Sequence, residues 1–158
     1  MAERTGEISL IPVTASAAAV VRVRTTFSAW PRLWKPSLDR IWAAARAGAI
    51  PKPGLNVMIY RPLSGSHVDV ECGVLIGDPF AGFGDIAASE TPSGSAATCV
   101  HHGGYANLGA SHAAVDRWCR SQGYPFAGVR WEIYGHWSDD PALVKTGIFH
   151  LTGTSVMR

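Results

Sequence analysis

The feature that most constrains this chain is an internal likeness. Shifted by 74 residues and laid on itself without gaps, the sequence matches itself at nine of the 41 positions from 37 to 77. Ser37 falls on Ser111, Arg46 on Arg120, Pro51 on Pro125, Gly54 on Gly128, Ile59-Tyr60 on Ile133-Tyr134, Ser64 on Ser138, Val70 on Val144 and Gly73 on Gly147. Unrelated sequences of ordinary composition would match at about two or three. Turn residues and apolar residues coincide together, and Ile41 with Val115 and Leu55 with Val129 add conservative pairs. Two copies of one supersecondary unit, too small to bury separate cores, are therefore expected to share one surface.

Each copy reads the same way. Residues 14–25 alternate Val21 and Val23 with Arg22 and Arg24, a strand pattern. Pro36-Ser37 then opens a helix with Ser37 as N-cap; Leu38, Ile41, Trp42 and Ala45 give its apolar stripe, and Gly48 ends it. Strands follow at 55–61 and 67–76. In the second copy a strand is expected near 96–102 and a helix from about 105 to 121. Its stripe is Leu108, Ser111, Val115, Trp118 and Cys119, and Gly123 closes it. Strands follow at 129–134 and 144–151. The order is β-α-β-β twice, an α+β fold. One domain of residues 8–151 is expected, with units at about 8–77 and 85–151 and a Gly/Pro/Phe-rich linker at about 78–84. A pseudo-two-fold cleft between the units is the expected ligand site.

Composition narrows the function. Charged residues are 16% and the net charge is +2, so the chain is neither a basic nucleic-acid binder nor an acidic tail. Three separated cysteines give no disulfide framework, and residues 15–23 are too short and too interrupted by Arg22 to span a bilayer. A cytoplasmic protein with no membrane or direct nucleic-acid partner is expected. The six histidines and three cysteines show no C-x-x-C or H-x-x-x-H spacing, so neither a metal nor a cofactor is expected.

Strand parity separates faces. Val129, Trp131 and Ile133 share one face and Arg130, Glu132 and Tyr134 the other; Leu55, Val57 and Ile59 oppose Asn56, Met58 and Tyr60. The apolar sets are expected under the helices and the mixed sets at the cleft. Glu132, mid-strand between Trp131 and Ile133, is the residue that stands out. Glu is a poor strand former, and a carboxylate among aromatics is a ligand group or a base.

These residues resemble a known family. Gly104-Tyr105, Trp118, Gly123, the run Trp131-Glu132-Ile133-Tyr134 and the run Thr146-Gly147-Ile148-Phe149 look like the GyrI-like small-molecule-binding domains, relatives of the effector-binding domains of AraC- and MerR-type multidrug regulators. The resemblance covers residues 8–151 and is strongest from His101 onward. It implies two SHS2-like modules with a ligand cleft at their pseudo-dyad. It maps the family's central Glu onto Glu132, the following aromatic onto Tyr134, a cleft aromatic onto Tyr60 and a last-strand aromatic onto Phe149, where a frequent Tyr hydroxyl is missing. Met58, opposite Glu132 by the repeat, and Trp34, Trp42 and Trp137 would complete the aromatic wall.

Three functions follow from the resemblance. The first is a stand-alone module that binds lipophilic or aromatic, often cationic, drugs or toxins, since the repeat leaves no room for a DNA-binding domain. The second is a hydrolase of electrophilic, cyclopropane-bearing compounds, with Glu132 as general base and Tyr60 or Tyr134 steadying the developing charge. The third is a gyrase-inhibitor-like interaction protein, with DNA gyrase as partner. A homodimer is compatible with all three.

Overall fold

The computed structural model describes residues 3–154. Its strands are β1 (Arg4–Thr5), β2 (Ser9–Val13), β3 (Ala17–Thr26), β4 (Pro53–Pro62), β5 (His67–Ile76), β6 (Ala87–Glu90), β7 (Gly94–His102), β8 (Phe126–Tyr134) and β9 (Lys145–Thr152). Its helices are α1 (Trp34–Arg46) and α2 (Leu108–Gln122), with single 3-10 turns at Trp30–Arg32 and Pro141–Leu143. The fold is α+β with antiparallel pairing. Two compact units are formed, one of residues 15–92 and one of residues 3–14 with 93–154. These limits differ from the expected 8–77 and 85–151. The reason is strand pairing: β2 pairs with β7, Leu10 facing Ala97, and β6 pairs with β3, Ala88 facing Ala19.

In the unit of residues 15–92 the strand order is β4-β5-β3-β6; in the other it is β8-β9-β7, with β1 and β2 both on β7. Each therefore has the chain order strand, helix, strand, strand, with the third strand in the middle. The hairpins differ in register. Met58 faces Cys72, whereas Glu132 faces Ile148. A shift of 74 carries Met58 onto Glu132, but 76 is needed to carry Cys72 onto Ile148. The connection between the paired strands lengthens accordingly, from residues 63–66 to residues 135–144.

The helix ends follow from their residues. Ser37 is not the N-cap of α1: the helix begins at Trp34, and the Ser37 hydroxyl donates back to the Leu33 carbonyl at 2.8 Å. Pro36 falls in the first turn, where its missing N–H has no intrahelical partner to lose. Gly123 ends α2 at φ +76, and the Tyr124 N–H returns to the Cys119 carbonyl. Against β7 and β9, α2 buries Val115 and Cys119 on Ala97, Cys99 and Ile148, flanked by Ile8, Leu10 and Leu108.

The strand faces are a correction. Asn56 accepts from the Trp42 indole N–H at 2.8 Å, and Glu132 meets His112 of α2, so the mixed sets lie under the helices. The apolar sets are on the opposite faces and are equally buried, Val57 and Ile59 at 0% and Trp131 at 2% exposure. Buried polar atoms need partners, and the helices supply them. Among the described residues no helix is long and apolar enough to cross a membrane.

Candidate functional site

The site is assembled in the unit that contains α2. Strand β8 sets Glu132 and Tyr134 on one face, two residues apart. Glu132 is buried, and the Tyr134 hydroxyl donates to its Oε1 at 2.6 Å. Helix α2 brings His112 onto the same carboxylate, Nε2 to Oε2 at 2.8 Å. His112 lies four residues after Leu108 and three before Val115, in the phase of the buried stripe.

The chain of groups continues. His112 Nδ1 is 2.8 Å from His150 Nε2 on β9. The two ring planes lie within 25° with centroids 5.1 Å apart, a spacing that puts the rings end to end in the line of the hydrogen bond. His150 Nδ1 then lies 3.2 Å from Asp116 Oδ1, one helical turn beyond His112, on a side chain that reaches solvent. Burial, the facing His112 and nearby Arg130 push the His150 imidazole down to about 3, so at neutral pH it is uncharged.

An aromatic lip adjoins the carboxylate. Tyr105, in the turn before α2, meets Tyr134 edge-on at 5.4 Å and Trp137 at 5.6 Å. Trp137 is 64% exposed, an unusual state for an indole. Burial raises the Tyr105 phenol pKa, so its ring offers a neutral face and edge.

Of the residues singled out from sequence, Glu132 and Tyr134 come together, and Trp137 is linked to them through Tyr105. Phe149 does not join them. It faces Trp131 across the β8–β9 pair, stacked at 5.2 Å on the opposite side of the sheet. Tyr60 and Met58 form a second pair in the other unit: the Tyr60 hydroxyl meets the Met58 sulfur at 3.4 Å, and Trp30 packs edge-on to Tyr60 at 6.5 Å. Trp42 is held by Asn56, and Trp34 opens α1 with its ring partly exposed. Tyr105, His112, His150 and Asp116 were missed. The signal was a polar residue in an apolar phase: His112 in the stripe of α2, and His150 alternating with Ile148 and Thr152 on β9.

Two other polar groups have structural explanations. Ser111, His101 and Glu3 are linked at 2.8 and 3.1 Å in the manner of a catalytic triad. Ser111 and His101 are 0% and 1% exposed, so no substrate reaches the hydroxyl, and Thr5 shares a hydrogen bond with it at 2.6 Å. A recess of about 590 Å³ on the unit of residues 15–92 is lined by Arg22, Arg24, Arg61, Asp69 and Glu71. Its charges satisfy one another: Arg24 grips Asp69 with two bonds, and Glu71 accepts from Arg22, Arg61 and Ser89. Among the described residues no three His, Cys, Asp or Glu side chains are arranged to hold a metal.

No family profile matches the sequence, and no curated protein matches it as a relative. Solved structures do match. The EcmrR C-terminal domain aligns at TM-score 0.75 and 19% identity over 94% of this chain and 98% of its own. SAV2435 bound to tetraphenylphosphonium aligns at 0.69 and 11% over 93% and 94%. A hydrolase from Listeria innocua aligns at 0.63 and 10% over 93% and 92%. The chain thus has the fold of the GyrI-like domains, as the resemblance carried by the Trp131-Glu132-Ile133-Tyr134 run implies.

Proposed function

We propose that the chain is a small-molecule-binding module whose ligand is a lipophilic aromatic cation, held by Glu132 and the rings of Tyr134, Tyr105 and Trp137. The observation that carries the reading is a buried carboxylate on β8 joined through Tyr134 to an aromatic lip that opens to solvent. Each ring that faces a cation contributes about 0.5–2 kcal/mol, more where water is excluded. A carboxylate at low dielectric adds charge complementarity that a neutral ligand does not feel. SAV2435, of the same fold, was solved with tetraphenylphosphonium, a cation of this description. We further read the recurring strand order as a tandem β-α-β-β repeat of two SHS2-like modules.

The test is Trp fluorescence and calorimetry with tetraphenylphosphonium and with neutral triphenylphosphine oxide. Glu132→Gln is expected to weaken the cation at least about tenfold and the neutral compound less than about threefold. Equal losses refute the cation reading.

A second reading has its own support. A carboxylate with a tyrosine hydroxyl on one oxygen and an imidazole on the other is also the arrangement of a general base, and one neighbour of this fold is a hydrolase. In it Glu132 takes a proton from water attacking an electrophilic carbon. Incubation with a cyclopropane-bearing electrophile then yields a product heavier by one water, and Glu132→Gln abolishes it. An unchanged mass refutes turnover of that compound.

A further inference from the structure

The row Tyr134, Glu132, His112, His150, Asp116 has a direction that its hydrogen-bond chemistry fixes. Asp116, an ionised carboxylate, can only accept. A lone pair on His150 Nδ1 would face its oxygen at 3.2 Å, so Nδ1 carries the hydrogen. His150 is neutral, and its Nε2 is therefore a lone pair. The bond of 2.8 Å to His112 must then be donated by His112 Nδ1. That leaves His112 Nε2 and Glu132 Oε2, 2.8 Å apart, with one further proton between them, whether as imidazolium and carboxylate or as imidazole and carboxylic acid. In both forms the Glu132–His112 pair is neutral overall.

We propose that His112, His150 and Asp116 are a proton wire that sets the charge of Glu132, so that capture of a cation at Glu132 expels one proton through Asp116. This rests on the reading of Glu132 as a cation-binding carboxylate. The step balances. His112 passes its Nδ1 proton to His150 Nε2, His150 passes its Nδ1 proton to Asp116 Oδ1, and Asp116 yields it to water. The proton between His112 and Glu132 ends on His112 Nε2, which donates it to Glu132, now a full carboxylate beside a neutral imidazole. Asp116, whose side chain reaches solvent, turns away from the bare His150 Nδ1 as it loses its proton. The entering cation supplies the positive charge that the departing proton removes.

Other titratable groups lie near the wire. Arg130 on β8 lies near His150 and disfavours a resting positive charge there. From α2, Cys119 lies near Asp116, and burial followed by the charge of Asp116 raises its thiol pKa, which keeps it out of the transfer. Tyr134 donates to Glu132 in both states. His112 and His150 are thus positioning residues: they determine which ligand charge Glu132 accepts.

Two measurements on the whole protein decide this. The first needs no ligand. Long-range proton–nitrogen spectra of the 15N-histidine-labelled protein at neutral pH are expected to place the His150 hydrogen on Nδ1 and a hydrogen on His112 Nδ1. A His150 hydrogen on Nε2 overturns the wire. The second is calorimetry of tetraphenylphosphonium binding in buffers of different ionisation enthalpy. The wild type is expected to release about one proton per cation, so its affinity rises by up to about tenfold per pH unit while the pair holds its proton. His112→Gln and Asp116→Asn are expected to bind with release lost in the first and reduced in the second, and triphenylphosphine oxide to release none. Binding of the cation by wild type without proton release overturns the wire and leaves the cation reading standing. No binding of the cation refutes the cation reading and with it the proton release, whereas both tautomers as stated still establish the direction of the hydrogen-bonded row.

Discussion

His150 gives the protein an acid sensitivity that follows from its surroundings. Its ring is 1% exposed, and burial, His112 and Arg130 bring its pKa from the ordinary 6.5 to about 3. The folded state keeps the imidazole neutral, whereas the unfolded chain takes up a proton below pH 6.5. The stabilising difference is complete above pH 6.5, is lost as the pH falls below it, and levels off near pH 3. The full loss is about 5 kcal/mol, of which about 2 kcal/mol falls between pH 7 and pH 5. Two kcal/mol is a large share of a typical domain's stability. Urea unfolding of the wild type and of His150→Gln at pH 7 and pH 5 isolates the effect, because all other titrating groups are common to both. The wild type is expected to lose about 2 kcal/mol more than the variant on acidification. Equal losses in the two proteins would refute a buried neutral His150 and the tautomer argument built on it.

Gly73→Ala is expected to cost more than about 2 kcal/mol in the same assay, since a Cβ there would collide with the Ala19 carbonyl oxygen on the neighbouring strand; a loss under about 0.5 kcal/mol contradicts that close approach. Glu71→Gln should destabilise by about 1–3 kcal/mol, because a carboxylate that offsets its burial with Arg22, Ser89 and Arg61 becomes a neutral amide before two guanidinium groups. Iodoacetamide should leave Cys72, Cys99 and Cys119 unmodified in the folded protein and label all three in denaturant: each thiol is buried, and burial pushes Cys72 up to about 12 and Cys99 to about 11. Trp137→Ala should change stability by under about 0.5 kcal/mol, its ring being 64% exposed, yet weaken tetraphenylphosphonium binding severalfold, as read by titration calorimetry.

How much of this was legible in the sequence differs from residue to residue. Strand alternation and the helix stripes located β4, β5, β8 and β9 within a few positions, since those signals are local and periodic. Glu132 stood out because a lone carboxylate in an aromatic strand is improbable without a partner. Its partner was hidden. His112 sits in the α2 stripe beside Ser111, and a histidine there gives no hint of which strand carboxylate lies beneath it. Register decides that, and register is a long-range property: the pairing of Glu132 with Ile148 places His150 and Arg130 side by side and turns Phe149 to Trp131 on the far side. The face assignment failed for a related reason. Both faces of these strands are buried, so apolarity alone could not tell which one a helix covers. The short strands β1, β2 and β6 carry too few residues for a pattern, and β2 finds β7 more than 80 positions away.

The lengthened connection at residues 135–144 bears on how such a protein diversifies. The Gly135 N–H bonds the Lys145 carbonyl at 2.8 Å, and the paired strands meet there without further help from the loop. A Cβ on residue 135 would approach that carbonyl to 2.7 Å, so the base of the loop tolerates little change. Between His136 and Leu143 the constraint is weaker, and Val144, buried and accepting from the Gly103 N–H, closes the stretch. Substitutions, insertions or deletions in that stretch replace the ring that Trp137 presents while β8 keeps Glu132 and α2 keeps His112 in place. Ligand preference and folding are thereby encoded in separate segments of the chain, and a library confined to the loop samples the first without disturbing the second.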